Sequence, residues 1–155
     1  MSNQQDYASV KIHPPILLLI HIGVAWLLGK FITLPIVVSP LFKNIGLGLA
    51  GIGFLLGLLA LYAFTKARTT VNPHGSVRTI VSSGVYRFTR NPIYLGMTFM
   101  LIGFPLAFGN VWGIPLVLAF IPLMNKLVIR HEEAYLEKKF GEAYTGYKSR
   151  VRRWL

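Results

Sequence analysis

The chain has 155 residues, of which 54% are hydrophobic and 14% are charged, with sixteen Lys and Arg, five Asp and Glu, and no Cys. A soluble domain carries about 25% charged residues, so this composition excludes intrinsic disorder, a disulfide scaffold and a soluble globular fold. The net charge of +11 would indicate nucleic-acid binding in a soluble protein, but in so apolar a chain it is first a marker of membrane topology.

Four apolar stretches predict transmembrane helices, because each approaches the roughly 20 residues needed to cross a hydrocarbon core of ~30 Å. The predicted spans are 16–38, 45–64, 92–108 and 111–129. The last two come from one uncharged interval that is too long for a single span, so it is divided at the turn signal Gly109-Asn110. The predicted fold class is therefore all-α: a single domain over 1–155, a polytopic bundle of about four transmembrane helices with a cytoplasmic loop and a C-terminal amphipathic helix.

The second span is rich in glycine. Its string at 46–51 matches the dinucleotide-binding pattern GxGxxG, but no strand precedes it and no acidic residue follows at the required distance. We therefore interpret these glycines, together with the GxxxG at 53–57, as sites of close helix packing. They also offer a face for a homodimer.

The distribution of charge predicts the topology. Every Lys and Arg except Lys30 and Lys43 lies in the N-terminal segment, in the polar stretch 65–91, or from Lys126 onwards. By the positive-inside rule both termini are predicted to be cytoplasmic in a multi-pass membrane protein. The charge then needs no nucleic-acid partner, and membrane lipids are the expected surroundings.

Few polar groups lie inside the predicted spans. His21 is expected to be a packed, hydrogen-bonded residue or a residue of the membrane interface. The four His show no metal-ligand spacing, so no metal is predicted. All five carboxylates lie outside the spans, which disfavours a proton-coupled transporter. After the fourth span, apolar residues recur every three or four positions, which predicts a helix that continues into the C-terminal segment and is interrupted at Gly141. Its apolar face should pack on the basic loop or on the bilayer.

The remaining polar chemistry concentrates on the cytoplasmic face. Asn91-Pro92 predicts an N-cap and first position for the third span, and a helix start near arginines can hold a carboxylate or phosphate. Tyr86 and Tyr94 suit a cation or a base, and Glu132-Glu133 could accept from hydroxyls or an ammonium. The alternative, that these residues mark the membrane interface and balance a basic helix, stays open on spacing alone.

Two blocks in this region carry a resemblance to a known family. SSGVYRFTRNPIYLG and HEEAYLEKKFGEAYTGYKSRVRRWL resemble the isoprenylcysteine carboxyl methyltransferases and the related phospholipid N-methyltransferases, which are membrane enzymes using S-adenosylmethionine (SAM). The resemblance covers 76–155. Asn91 replaces the His that often precedes the proline, and Val128 stands where some members have a substrate-contacting Arg.

The resemblance implies a cofactor site for SAM, with S-adenosylhomocysteine as product. The implied cofactor-binding residues are Arg78, Thr79, Ile80, Val81, Gly84, Tyr86, Asn91, Pro92, Ile93, Tyr94, Glu132 and Glu133. The implied catalytic residues are Arg90, Asn91 and Glu133. Arg130 is the candidate substrate contact in place of the missing Arg, with Lys126 as the alternative.

The predicted function is a SAM-dependent methyltransferase that acts on a lipid-like or prenylated acceptor of the isoprenylcysteine carboxylate type, at a site open sideways to lipid. Three alternatives remain: a phospholipid amine N-methyltransferase, a small four-span transporter, and a non-catalytic relative that binds lipid.

Overall fold

The computed structural model describes residues 7–8, 10–32, 34–70 and 77–155. Residue 33 belongs to the first predicted span and residue 76 to the region of resemblance, and both lie outside the described residues. Every regular element in the described residues is helical, which confirms the all-α class. The helices are α1 (Pro14–Phe31), α2 (Pro40–Lys66), α3 (Pro92–Ala107), α4 (Gly113–Met124), α5 (Arg130–Phe140) and α6 (Glu142–Arg150).

The predicted spans correspond to apolar helices, with corrections at their ends. Pro14–Phe31, Pro40–Lys66 and the continuous stretch Gly113–Phe140 are long and apolar enough to cross a membrane, whereas α3 has 16 residues and is shorter. These helices agree with a multi-pass membrane protein.

The first predicted span, 16–38, is wrong at its end. The helix stops at Phe31, and Pro35 lies in non-helical backbone, because proline restricts the residue before it and has no N–H to donate. The second span starts at Pro40 instead of 45, since Ser39 is its N-cap and proline suits the first helical position. The division at Gly109 is confirmed, and this glycine takes a φ of +81° in the turn between α3 and α4.

Helices α2 and α3 approach each other through glycine. A Cβ at Gly46 or Gly53 of α2 would collide with the backbone of α3, and one at Gly96 or Gly103 would collide with α2. The predicted close packing is therefore correct for Gly46 and Gly53. Gly48, Gly51 and Gly57 face open space in this chain, and the homodimer stays a prediction.

This contact gives a matched pair of variants. Gly53→Ala should destabilise the protein by about 1–3 kcal/mol, because the added methyl group meets the Gly96 carbonyl and the two helices must separate. Gly57→Ala makes the same change one helical turn later, where nothing lies within 4 Å, and should leave stability unchanged or raise it slightly. Thermal unfolding in lipid nanodiscs measures both, and equal midpoints would contradict the packing.

The centre of the bundle contains His21 as a packed residue, as predicted. Its Nδ1 lies 2.8 Å from the Leu17 carbonyl oxygen, and its ring meets Phe120 edge-on at 5.3 Å between centroids. Phe120, Met124 and Leu101 are fully buried around it. His21 therefore belongs to the core.

The fourth predicted span continues as a helix to Phe140 and breaks at Gly141, where φ is +53°, so both parts of that prediction are confirmed. A π-helical turn at Asn125–Ile129 joins α4 to α5. The Leu127 carbonyl of this turn accepts a hydrogen bond from the Lys11 N–H at 3.1 Å. The N-terminal segment, the loop before α3 and the C-terminal segment thus meet at one end of the bundle.

Candidate functional site

A cavity lies at this end of the bundle. Its volume is about 850 Å³ when the space open to solvent is included. Its walls come from the loop before α3, the first turn of α3, α5 and α6. The two sequence blocks that carry the resemblance are therefore neighbours in space.

Most of the predicted site residues line this cavity. They are Thr79, Ile80, Val81, Tyr86, Arg90, Asn91, Ile93, Tyr94, Glu132 and Glu133. Four predicted residues are placed elsewhere. Gly84 forms a turn with a φ of +59°, Pro92 is the buried first residue of α3, the Arg78 N–H donates to Thr69 Oγ1, and Arg130 is exposed.

Two arginines hold Glu133. Arg153 donates from Nε to Oε1 at 3.0 Å and from Nη2 to Oε2 at 2.6 Å, while Arg90 Nη1 lies 3.0 Å from Oε1. The side chains of Arg90 and Glu133 are each 9% exposed. A buried carboxylate needs such partners, because its desolvation is otherwise uncompensated. The hydrogen bonds to Glu133 also raise the pKa of Arg153.

Glu132 has a different environment. Its Oε1 accepts a hydrogen bond from the Tyr94 hydroxyl at 2.6 Å, and no other donor reaches this carboxylate in the part of the chain that the structure describes. Neighbouring residues of a helix point about 100° apart, so the two glutamates face different partners. Glu132 is therefore the carboxylate with an oxygen available to a ligand.

Asn91 occupies the N-cap position of α3, as predicted, but its side chain makes no capping hydrogen bond. Its Nδ2 donates instead to the Arg153 carbonyl at 2.9 Å, a contact between residues 62 positions apart. The expectation that its amide caps the helix is therefore wrong, since the nearby C-terminal segment competes for the donor. The same carbonyl accepts from Thr89 Oγ1 at 3.2 Å.

Tyrosines form the apolar wall of the cavity. Tyr147 donates its hydroxyl to the Tyr86 carbonyl at 2.7 Å, and Tyr86 meets Phe64 edge-on at 5.5 Å. Burial raises the pKa of Tyr86 and of Tyr147 far above 10, and burial next to Glu133 raises the pKa of Tyr144 to about 12. These three phenols stay neutral at physiological pH, so they can present ring faces or donate hydrogen bonds.

The tyrosines predict an alkaline loss of stability. Their folded-state pKa values lie above the unfolded value of about 10, so the folded state holds these protons more tightly. Their stabilisation is complete below pH 10 and is lost as the pH rises from 10 through about 12. Melting midpoints measured between pH 8 and 12 should fall over that window, and less steeply in Tyr144→Phe. An identical slope in the variant would contradict this assignment.

Arg90 has one donor atom without a hydrogen-bond partner among the described residues, its buried Nε, whereas Nη1 forms the ion pair with Glu133 Oε1. Arg90 lines the cavity. A buried unpaired donor is costly, so this atom fits an anionic ligand group. With Glu132 and the tyrosine faces, the donor set suits a molecule that carries a carboxylate, hydroxyls and a positive charge, as SAM does.

Sequence reasoning left several cavity residues unassigned. They are Ala8, Phe64, Thr70, Val77, Tyr135, Leu136, Tyr144 and Tyr147. Leu136, Tyr144 and Tyr147 recur at helical spacing in the sequence, a pattern that by itself predicts packing, and Leu136 and Tyr144 also belong to the second block of the resemblance. Nothing in the pattern indicated Arg153 as a partner of Glu133.

The profile of a family described as phospholipid methyltransferase matches residues 42–143. This range includes the loop, α3 and both glutamates. A curated "Uncharacterized protein" of Haemophilus influenzae is 43% identical over 63 residues, which are 41% of this chain and 100% of that protein. No solved structure matches the chain.

Proposed function

Because this chain belongs to the phospholipid methyltransferase family of membrane methyltransferases, we propose that it transfers a methyl group from SAM to a lipid-like acceptor. The observation that carries the proposal is the cavity itself, which joins the loop block to the glutamate pair at the end of an apolar helical bundle. The family generally uses SAM, and the donor set of the cavity fits that molecule.

The chain's own residues have separate proposed roles. Arg90 offers its buried Nε to an anionic group, Glu132 offers a free oxygen to a hydroxyl or an ammonium, and the tyrosine rings face a cation. SAM would supply a methyl group on a sulfonium, whose C–S bond breaks with its electron pair returning to sulfur. Such an in-line transfer depends mainly on alignment, which a rigid cavity wall provides.

The acceptor is proposed to enter from the lipid. Phe64 of α2 and Ile93 of α3 line the cavity, and both helices expose apolar side chains that suit acyl or prenyl chains. A prenylated carboxylate would approach already ionised. The description of the family supports a phospholipid amine as the second candidate, and an amine acceptor must lose a proton that Glu132 could take. Both termini are proposed to be cytoplasmic, from the distribution of Lys and Arg.

The reaction is tested with methyl-labelled SAM. The purified protein in nanodiscs should label a component of a total membrane lipid extract or a member of a panel of prenyl-cysteine analogues, and S-adenosylhomocysteine should inhibit the labelling. Mass spectrometry of the product identifies the acceptor atom. Labelling no greater than that of protein-free nanodiscs on every carboxylate, amine and thiol acceptor would overturn the proposal.

A further inference from the structure

The last five residues, 151–155, run along the loop that precedes α3, and we call them the C-terminal strap. The Arg90 N–H donates to the Arg152 carbonyl at 2.9 Å, and the Arg153 carbonyl accepts from both Thr89 and Asn91. Further along, Trp154 Nε1 donates to Asn125 Oδ1 at 3.3 Å in the π-helical turn. The strap is thus fixed by hydrogen bonds to Arg90 and Asn91, two residues that line the cavity.

Within this arrangement Arg90 and Arg153 compete for one carboxylate. Arg153 takes both oxygens of Glu133 in a bidentate pair, whereas Arg90 reaches only Oε1 through Nη1 and keeps Nε without a hydrogen-bond partner in the described part of the chain. A bidentate pair is the strongest geometry between a guanidinium and a carboxylate. Without Arg153, Glu133 would have only Arg90 to neutralise it, and Arg90 would turn its Nε toward Glu133 as well.

We propose that Arg153 is a positioning residue that occupies Glu133 and thereby keeps the buried Nε of Arg90 free for an anionic group of the bound ligand. The group is a carboxylate or a phosphate, and it could belong to the cofactor's amino-acid moiety or to an acceptor headgroup. This inference rests on the proposed function and assigns a role to a residue that does not line the cavity.

The test is calorimetry with two ligands that differ in one group. S-adenosylhomocysteine carries the carboxylate, and its decarboxylated analogue keeps the nucleoside, thioether and amine. Arg153→Gln should weaken binding of the first by about tenfold or more, the effect of a charge-assisted hydrogen bond, and binding of the analogue by less than about twofold. Arg150→Gln is the matched control, because it removes the same charge from an exposed side chain three residues earlier and should change neither affinity.

A second experiment uses an anion without a nucleoside. Thermal stabilisation by inorganic phosphate, measured against chloride at equal ionic strength, should be present in the wild type and lost in Arg153→Gln. If Arg153→Gln loses only the stabilisation by phosphate, the anionic group belongs to an acceptor headgroup. If it loses affinity for S-adenosylhomocysteine but not for the decarboxylated analogue, the anionic group belongs to the cofactor. Where the glutamine variant does not fold, Arg153→Lys replaces it, since lysine keeps the charge but cannot hold both oxygens of Glu133.

Equal weakening of S-adenosylhomocysteine and its analogue would make Arg153 a general structural residue and overturn the proposal, as would unchanged affinities in both experiments. Failure of the wild type to bind S-adenosylhomocysteine, with phosphate stabilisation that depends on Arg153, would overturn the proposed function but support this inference. Failure of both ligands to bind the wild type would overturn both.

Discussion

Replacing Glu133 with alanine should destabilise the protein by about 3–5 kcal/mol, because it leaves two guanidinium groups next to each other without their carboxylate. The Arg90 side chain is 9% exposed and cannot reach water, whereas the Arg153 side chain is 33% exposed and recovers part of its hydration. Thermal unfolding in nanodiscs, with ligand absent, measures this loss.

Two controls define the cause. Glu137→Ala breaks the ion pair with Lys148, whose side chains are each 37% exposed, and should cost less than about 1 kcal/mol. Glu133→Gln keeps the shape and one acceptor but removes the charge, so its loss should lie between the two alanine variants. If Glu133→Ala and Glu137→Ala had the same melting midpoint, the ion cluster around Glu133 would not stabilise the fold as described.

Glu132→Ala should have a different profile, with a loss of stability of about 1–3 kcal/mol from the unpaired Tyr94 hydroxyl and a loss of ligand affinity of about tenfold or more. Glu132 has one protein partner, the Tyr94 hydroxyl, and its second oxygen is available to the ligand. Removing it deletes a charge-assisted hydrogen bond, which is worth about 1.5–3 kcal/mol. Calorimetry with S-adenosylhomocysteine measures the affinity.

Glu142→Ala is the control for Glu132, because it removes the same charge from an exposed residue in the first turn of α6. Its affinity for S-adenosylhomocysteine should match that of the wild type. Binding that survives unchanged in Glu132→Ala would remove this residue from the site. The contrast between Glu132 and Glu133 separates ligand recognition from support of the cavity.

Local signals in the sequence predicted much of the fold. The start of α3 follows from Asn91-Pro92, since proline favours the first helical position, and the turn at Gly109 follows from a residue that accepts positive φ. The long uncharged runs predicted the apolar helices, and the break at Gly141 was visible as a glycine in an otherwise helical pattern. Each of these features depends on a few adjacent residues.

The different roles of Glu132 and Glu133 could not be predicted from local signals. Glu132 and Glu133 are identical and adjacent in sequence, and only the packing of α5 against α3 and the C-terminal strap gives one Tyr94 and the other Arg153. The contact between Asn91 and Arg153 joins residues 62 positions apart, where no local propensity acts. Gly96 and Gly103 were missed because single glycines in an apolar run do not identify their neighbouring helix.

A flux measurement decides the transporter alternative. Three of the four glutamates of the chain lie in α5, inside the apolar stretch Gly113–Phe140, and the fourth begins α6, whereas α1, α2 and α3 contain no carboxylate. Ion flux in proteoliposomes without methyl transfer remains the observation that would favour it.

Photochemical cross-linking tests the central claim most directly, because SAM with a labelled methyl group can be attached to its site by ultraviolet light and the modified peptide identified by mass spectrometry. The account predicts attachment within 77–94 or 132–147, which contain the cavity walls, and its suppression by excess S-adenosylhomocysteine. Attachment that is confined to α1 or to the exposed face of α2, or that excess S-adenosylhomocysteine does not reduce, would contradict a cofactor site in this cavity.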